Sequence, residues 1–283
     1  MERFEARRAG PAIAGALAAV LVAVLAGTAC LEAAPPEQLA PVVVASASDG
    51  QVTADLLVRG AAGLSTGRNT IALRLTDDAT GAPITAAAIT QRWHMAMAPT
   101  RHGCPAPDPA GVADEDGLFL GTVVLPMPSA AGAPWGVTLT VVPAQPAGAA
   151  EHVLELADLA VAASDRVRLV DGDDGGRYLV TLSFAEGAAA NGAPALGDNA
   201  YVLTVHTQSG ELNYTAVDDA TVQAVAEMPA MGHGAAAPPA PAHRADGEYV
   251  GAVDLSMPGA WRVTFTLARA GAPLGVVAFD LEL

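Results

Sequence analysis

The sequence predicts an all-β chain made of two tandem immunoglobulin-like β-sandwich domains behind an N-terminal signal or anchor segment. Three observations predict it. Apolar residues alternate with polar ones at a period of two, glycine and proline recur throughout, and two blocks of the chain repeat at one fixed spacing. The alternation is plainest near the C-terminus. Trp261, Val263, Phe265 and Leu267 alternate with Arg262, Thr264 and Thr266, and Tyr249, Val253, Leu255 and Met257 share one face of the segment before them. A period of two sends one set of side chains into a core and the other into water. With 29 glycines and 21 prolines in 283 residues, long helices are not expected.

The repeat sets the register. Gly67-Arg68-Asn69-Thr70-Ile71-Ala72-Leu73-Arg74-Leu75 aligns with Gly197-Asp198-Asn199-Ala200-Tyr201-Val202-Leu203-Thr204-Val205, an offset of 130 residues. The same offset aligns Asp116 to Pro128 with Asp246 to Pro258, and Trp135 and Trp261 then open the next segment in each copy. Pro258-Gly259-Ala260 supplies a tight hairpin between two strands. Further strands at 51–59, 151–161, 177–184 and 275–283 give each copy about seven strands over roughly 110 residues, the rhythm of an immunoglobulin-like sandwich. The implied boundaries are a signal segment over 1–30, a tether over 31–49, a first sandwich over 50–162, a linker over 163–175 and a second sandwich over 176–283. Pro35, Pro36 and Pro41 mark the tether, and Asp171-Gly172-Asp173-Asp174-Gly175 marks the linker. A calcium loop is not expected there, because Leu182 stands where the twelfth-position glutamate would be.

Met1 to Arg8 is short and basic, and Ala9 to Ala29 is uncharged and rich in Ala, Val and Leu, as in a secretory signal. Leu25-Ala26-Gly27-Thr28-Ala29-Cys30 resembles a bacterial lipoprotein signal with Cys30 as the lipidated residue, although Gly27 stands where the pattern prefers leucine. An uncleaved membrane helix and ordinary cleavage are the alternatives. Leu31 after the cysteine favours the outer membrane by the same resemblance. The expected place is the cell envelope, lipid-anchored and facing the periplasm, with the membrane and a periplasmic protein as partners. Lipidation of Cys30 leaves Cys104 as the one remaining thiol, so no intramolecular disulfide framework is expected.

Composition excludes several functions. The formal charge is −16, which repels nucleic acid and anionic lipid. All 14 basic residues are arginine, so Schiff-base and P-loop lysine chemistry is absent. Gly63-Leu64-Ser65-Thr66-Gly67 fits the nucleophile-elbow pattern but precedes a strand instead of joining strand to helix. No enzyme is expected.

One region in each copy breaks the Ala/Val monotony. In the second it is Met228-Pro229-Ala230-Met231-Gly232-His233, and in the first it is Trp93-His94-Met95-Ala96-Met97, continuing through His102 to Cys104. Aligned on a Met-to-His spacing of five, Met97 matches Met228 and His102 matches His233. Thioether, imidazole and thiolate together suit Cu(I). Met228, Met231, His233 and Met257 are the candidate ligands, with His94, Met97, His102 and Cys104 as a weaker set. The opposing reading is core packing by methionine, with the histidines as exposed loop residues. A free exposed thiol is a liability unless buried, metallated or redox-active, which bears on Cys104.

The motif set resembles the YtkA-like domain. Asn199, Met228 to His233, Gly247-Glu248-Tyr249 and Met257-Pro258-Gly259-Ala260-Trp261 carry the resemblance over 172–283. Residues 50–162 show it in degraded form, with Thr100 for the second Met, Phe119 for the Tyr and a longer path from Met127 to Trp135. That family, with the related FixH-type proteins, implies an immunoglobulin-like fold outside the inner membrane and an association with copper handling or respiratory oxidase assembly. Two functions follow as expectations: a periplasm-facing Cu(I)-binding lipoprotein, or a structural or protein-interaction lipoprotein with no physiological metal.

Overall fold

The computed structural model describes residues 40–59, 63–97, 100–184 and 192–283. The signal segment and Cys30 lie outside the described residues. In the first half the strands are β1 (Val42–Ser48), β2 (Val52–Val58), β3 (Leu64–Ser65), β4 (Gly67–Asp77), β5 (Pro83–Ile84) and β6 (Ala87–Met97). They continue as β7 (Thr100–His102), β8 (Phe119–Leu125), β9 (Trp135–Pro143), β10 (His152–Leu159) and β11 (Val161–Ala162). The second half holds β12 (Val167–Asp171), β13 (Arg177–Phe184), β14 (Gly197–Gln208), β15 (Tyr214–Ala216) and β16 (Ala220–Met228). It ends with β17 (His233–Gly234), β18 (Ala242–His243), β19 (Glu248–Leu255), β20 (Ala260–Arg269) and β21 (Ala272–Glu282). The expected all-β class is what the structure shows.

Each half is two sheets closed on one core. The first half pairs β1-β2-β4-β5 with β8 also on β4, and packs this sheet against β10-β9-β6-β7. The second pairs β12-β13-β14-β19-β18 with β15 also on β14, and packs it against β17-β16-β20-β21. The ladders share one register. Gly67 faces Leu125 and Leu73 faces Phe119, just as Gly197 faces Leu255 and Leu203 faces Tyr249. Trp135 and Trp261 sit fully buried at the same place in the two cores. Each donates its indole N–H to a methionine carbonyl, Trp135 to Met127 at 3.0 Å and Trp261 to Met257 at 2.8 Å.

Two boundaries differ from the sequence reading. Residues 42–48 were expected in the tether but form β1, paired along β2. The run Val42-Val43-Val44 is β-branched and follows the last proline, so nothing in it resists an extended ladder. The expected linker likewise holds β12, paired from Val167 to Asp171 with β13. Asp171-Gly172-Asp173-Asp174-Gly175 is therefore the hairpin between those strands. Asp174 accepts hydrogen bonds there from the Tyr178 hydroxyl (2.5 Å) and the Gly176 amide (2.9 Å). Only residues 163–166 remain between the last strand of one half and the first of the other.

Buried asparagines explain the first repeat block. Asn199 is fully buried; its Nδ2 donates to the carbonyls of Ala195 (2.7 Å) and Gly197 (2.6 Å), and its Oδ1 accepts from the Ala195 amide (2.8 Å). Asn69 makes the same three bonds to Ser65 and Gly67. The amide of each thus closes the loop entering its central strand.

The second block turns on a glycine. Gly247 has φ +73°, and a Cβ there would collide with the Val205 carbonyl oxygen, which lies across the ladder. Gly117, its counterpart at φ +75°, has open space around it. Replacing Gly247 by alanine is expected to destabilise the second half by about 3 kcal/mol, and the same change at Gly117 by about 1 kcal/mol. Paired urea titrations of the two variants check this.

Candidate metal centre

The Met/His segment of the second half is a tight hairpin. β16 ends at Met228, the turn passes through Gly232 at φ +59°, and β17 returns at His233. The Met231 amide donates to the Met228 carbonyl at 3.1 Å and closes the turn. Met228 and His233 are register partners, so their side chains leave on the same face. Met228 belongs to the core at 4% exposure, whereas Met231 is 64% exposed at the turn. A Cβ on Gly259 would meet Met228 Cε at 3.2 Å, which places the thioether arm under the β19–β20 turn. The exposed His233 ring stands edge-on to Trp261, with centroids 6.4 Å apart and planes at 73°. Met257 is partly buried against the same core, and its carbonyl holds the Trp261 indole. The structure therefore sets Met228 and His233 beside Trp261, with the Met257 carbonyl on its indole N–H and Met231 projecting into solvent.

The first half arranges its soft residues differently. β6 and β7 place Met95, not Met97, opposite His102, and β6 and β9 place Met95 opposite Trp135. In the second half Met228 and Trp261 stand one residue beyond the Glu227–Arg262 pair. Met95 is thus the counterpart of Met228, and the match of Met97 to Met228 is corrected. The fixed spacing of five fails because the first hairpin is two residues longer. Met95 is 1% exposed, while Met97 is 40% exposed at the hairpin tip opposite Thr100. His94 lies on the other face of the sheet, with its Nε2 3.4 Å from Glu155 Oε1. A period of two makes this unavoidable for a neighbour of Met95.

Cys104 lies two residues past His102, partly buried against the first core. Burial pushes its thiol well above the ordinary value, the reverse of what a ligating or reactive thiolate needs. It sits near Tyr214 of the second half, whose phenol is pushed up to about 12, first by burial and then by Cys104. His94, Met97, His102 and Cys104 are therefore not one ligand shell: two faces of a sheet and a separate loop divide them.

Other polar groups have structural partners. Ser65 donates its amide to Asn69 within the short β3, which pairs in parallel with β11. His243 Nε2 lies 2.9 Å from Asp218 Oδ1, and its ring is tilted on Tyr249 with centroids 5.3 Å apart. The Gly247 amide, then the His243 ring, hold the Asp218 carboxyl below its usual range. Among the described residues no three His, Cys, Asp or Glu side chains gather as metal ligands, so a site here depends on methionine.

No curated protein matches this chain. A conserved domain protein from Bacillus anthracis is similar in structure at a TM-score of 0.36 and 10% identity, covering 89% of this chain and 93% of that one. Invasin, a bacterial integrin-binding protein, gives 0.25 and 12%, covering 82% of this chain and 39% of that one. Domains 5–6 of the S-layer protein SbsC give 0.25 and 13%, covering 86% of this chain and 99% of that one. Residues 188–266, the stretch that holds the Met228–His233 hairpin and Trp261, match the family model described as YtkA-like.

Proposed function

We propose that the second sandwich holds or passes on Cu(I) through Met228, Met231 and His233, in a non-catalytic, exported protein anchored through Cys30 and facing the periplasm. The observation that carries this reading is the hairpin register, which opposes Met228 and His233 across two strands and leaves Met231 on the turn between them. Thioether and imidazole are the donors Cu(I) favours, and hard oxygen-binding cations have no use for them. Met257, partly buried beside the Trp261 indole, is the fourth candidate donor. The ion is cargo here, to be held and released, and the protein's part is to offer a fixed donor set against an aromatic wall. The first sandwich does not fit the same role, because its candidate donors His94, Met97, His102 and Cys104 are divided between two sheet faces and a separate loop, and its thiol is held protonated.

A specific observation favours a second reading. Met228 is almost wholly buried and Met257 packs on the core, as expected of methionines that only fill space in a spacer or interaction protein. Titration of the purified protein with Cu(I) against a competing chelator separates the two. His233→Ala with Met231→Leu changes only exposed positions, so the fold is expected to persist. The metal reading expects sub-micromolar binding in the wild type, weakened by about tenfold or more in the double variant. Micromolar binding that ignores both substitutions leaves the spacer reading.

A further inference from the structure

The two sandwiches meet at residues where the copies diverge. Arg68 stands where the second copy has Asp198, and Glu248 stands where the first has Leu118. These two divergent residues form an ion pair across the halves, Arg68 Nε to Glu248 Oε1 at 2.7 Å, with both side chains largely enclosed. A second contact lies in the segment after the first Met/His hairpin. The Gly103 amide donates to the Glu211 carbonyl at 2.9 Å, and a Cβ on Gly103 would meet the Leu212 oxygen at 2.8 Å. Leu57, Ala72 and Leu118 form a buried group outside the first core. Leu179, Thr181 and Thr204 are likewise buried while their neighbours Val180, Leu182 and Val205 fill the second core. By the alternation of strands these residues lie on the outer faces of the two β4- and β14-centred sheets, and β13 lies against β4.

His206 lies within this junction. It shares a face of β14 with Thr204 and Gln208. Thr204 is the register partner of Glu248, and Gln208 that of Tyr214. Glu248 is paired with Arg68 and Tyr214 lies by Cys104, so first-sandwich groups bracket His206 on both sides along the strand. Its ring is 4% exposed, and Nδ1 has no hydrogen-bond partner among the described residues. The Asp246 carbonyl takes a hydrogen bond from the ring, and Gly247 closes over it. The charged or titratable groups around it are Asp218, Asp246 and Glu248 of its own half and Arg68 and Cys104 of the other, with Tyr214 beyond.

We propose that this junction is an acid-labile clasp: protonation of His206 places an uncompensated charge between the sandwiches and loosens them from each other. Glu248 is already matched by Arg68, and Asp246 is exposed and meets the ring through its backbone, so the carboxylate left to favour an imidazolium is Asp218, itself engaged by His243 and the Gly247 amide. Burial therefore prevails and takes the His206 pKa down from 6.5 to about 4. The sign follows. A ring whose folded pKa is depressed stays neutral in the closed form and takes up its proton on opening, so the closed form is fully favoured above pH 6.5 and loses ground as pH falls towards 4.

Hydrogen–deuterium exchange on the full chain at pH 7.5 and pH 5.0, corrected for intrinsic exchange, tests it. Peptides covering 101–106 and 209–216 should lose protection by about thirtyfold at pH 5.0, while those covering 261–267 in the core do not. His206→Gln, which keeps a donor for the Asp246 carbonyl, should abolish the pH effect. Gly103→Val should open the same peptides at both pH values, which verifies that they report the junction. Should the glutamine variant fail to fold, the His206 ring resonance of the wild type is followed instead. Titration well below the ordinary range, in step with peptide opening, supports the clasp. An unchanged junction at pH 5.0, an equal response in His206→Gln, or a ring titrating at its ordinary value overturns it.

Discussion

Trp261→Ala is expected to lower the stability of the second sandwich by about 3–5 kcal/mol, one of the largest effects of any single core change in this chain. The indole is 1% exposed and fills the space between the two sheets where β16 and β20 meet. Its removal leaves a cavity, strips the Met257 carbonyl of its donor at 2.8 Å, and takes away the aromatic edge against which His233 rests. Trp261→Phe separates these terms. It keeps the six-membered ring and loses the N–H together with the rest of the five-membered ring, a smaller void, for about 2 kcal/mol. Urea unfolding followed by circular dichroism reads both. If the alanine and phenylalanine variants lose equal stability, the cavity term is absent and the packing account of this end of the sandwich fails. Trp135→Phe should repeat the smaller loss in the first half, because its indole holds the Met127 carbonyl in the same way.

Asn199→Asp is expected to destabilise by about 3 kcal/mol or more at neutral pH, more than Asn199→Ala, although it alters only one atom's chemistry. The side chain is fully buried, and its Nδ2 is aimed at two carbonyl oxygens. A carboxylate would present an oxygen to those carbonyls, with no donor and no counter-charge. The aspartate would therefore be held protonated in the folded state, with its pKa raised above the unfolded value. Its deficit relative to wild type is then least below the unfolded pKa and grows as pH rises through the folded one. Urea titrations of variant and wild type at pH 4 and pH 7 check the sign; a deficit that grows towards acid contradicts the hydrogen-bond account. Asn69→Asp should behave alike, since the two loops are built from the same three bonds.

Much of this was legible in the chain because strand periodicity and repetition are local signals. The period of two in 261–267 needs no partner to be read, and the shared offset aligned the ladders that β4 and β14 make with β8 and β19. The soft-residue hairpin was harder. Spacing alone put Met97 in the place that pairing gives to Met95, because a hairpin two residues longer shifts the register and only the facing strand reveals it. β1 and β12 were missed where proline before one and aspartate at the end of the other masked short strands that only their pairing partners reveal. Nothing in the sequence marked His206, a single histidine on a strand whose other neighbours are ordinary.

By itself the sequence determined the all-β class, the repeat at one offset and the Met/His segment followed by its tryptophan, since each is written in residues close together in the chain. The tertiary structure alone decided which soft residues share a face, that Cys104 is enclosed near the second sandwich, and that Arg68 meets Glu248 across 180 residues of chain. Those outcomes depend on which surfaces are brought together when two sandwiches dock, and burial between docked faces also sets the protonation of Cys104 and His206.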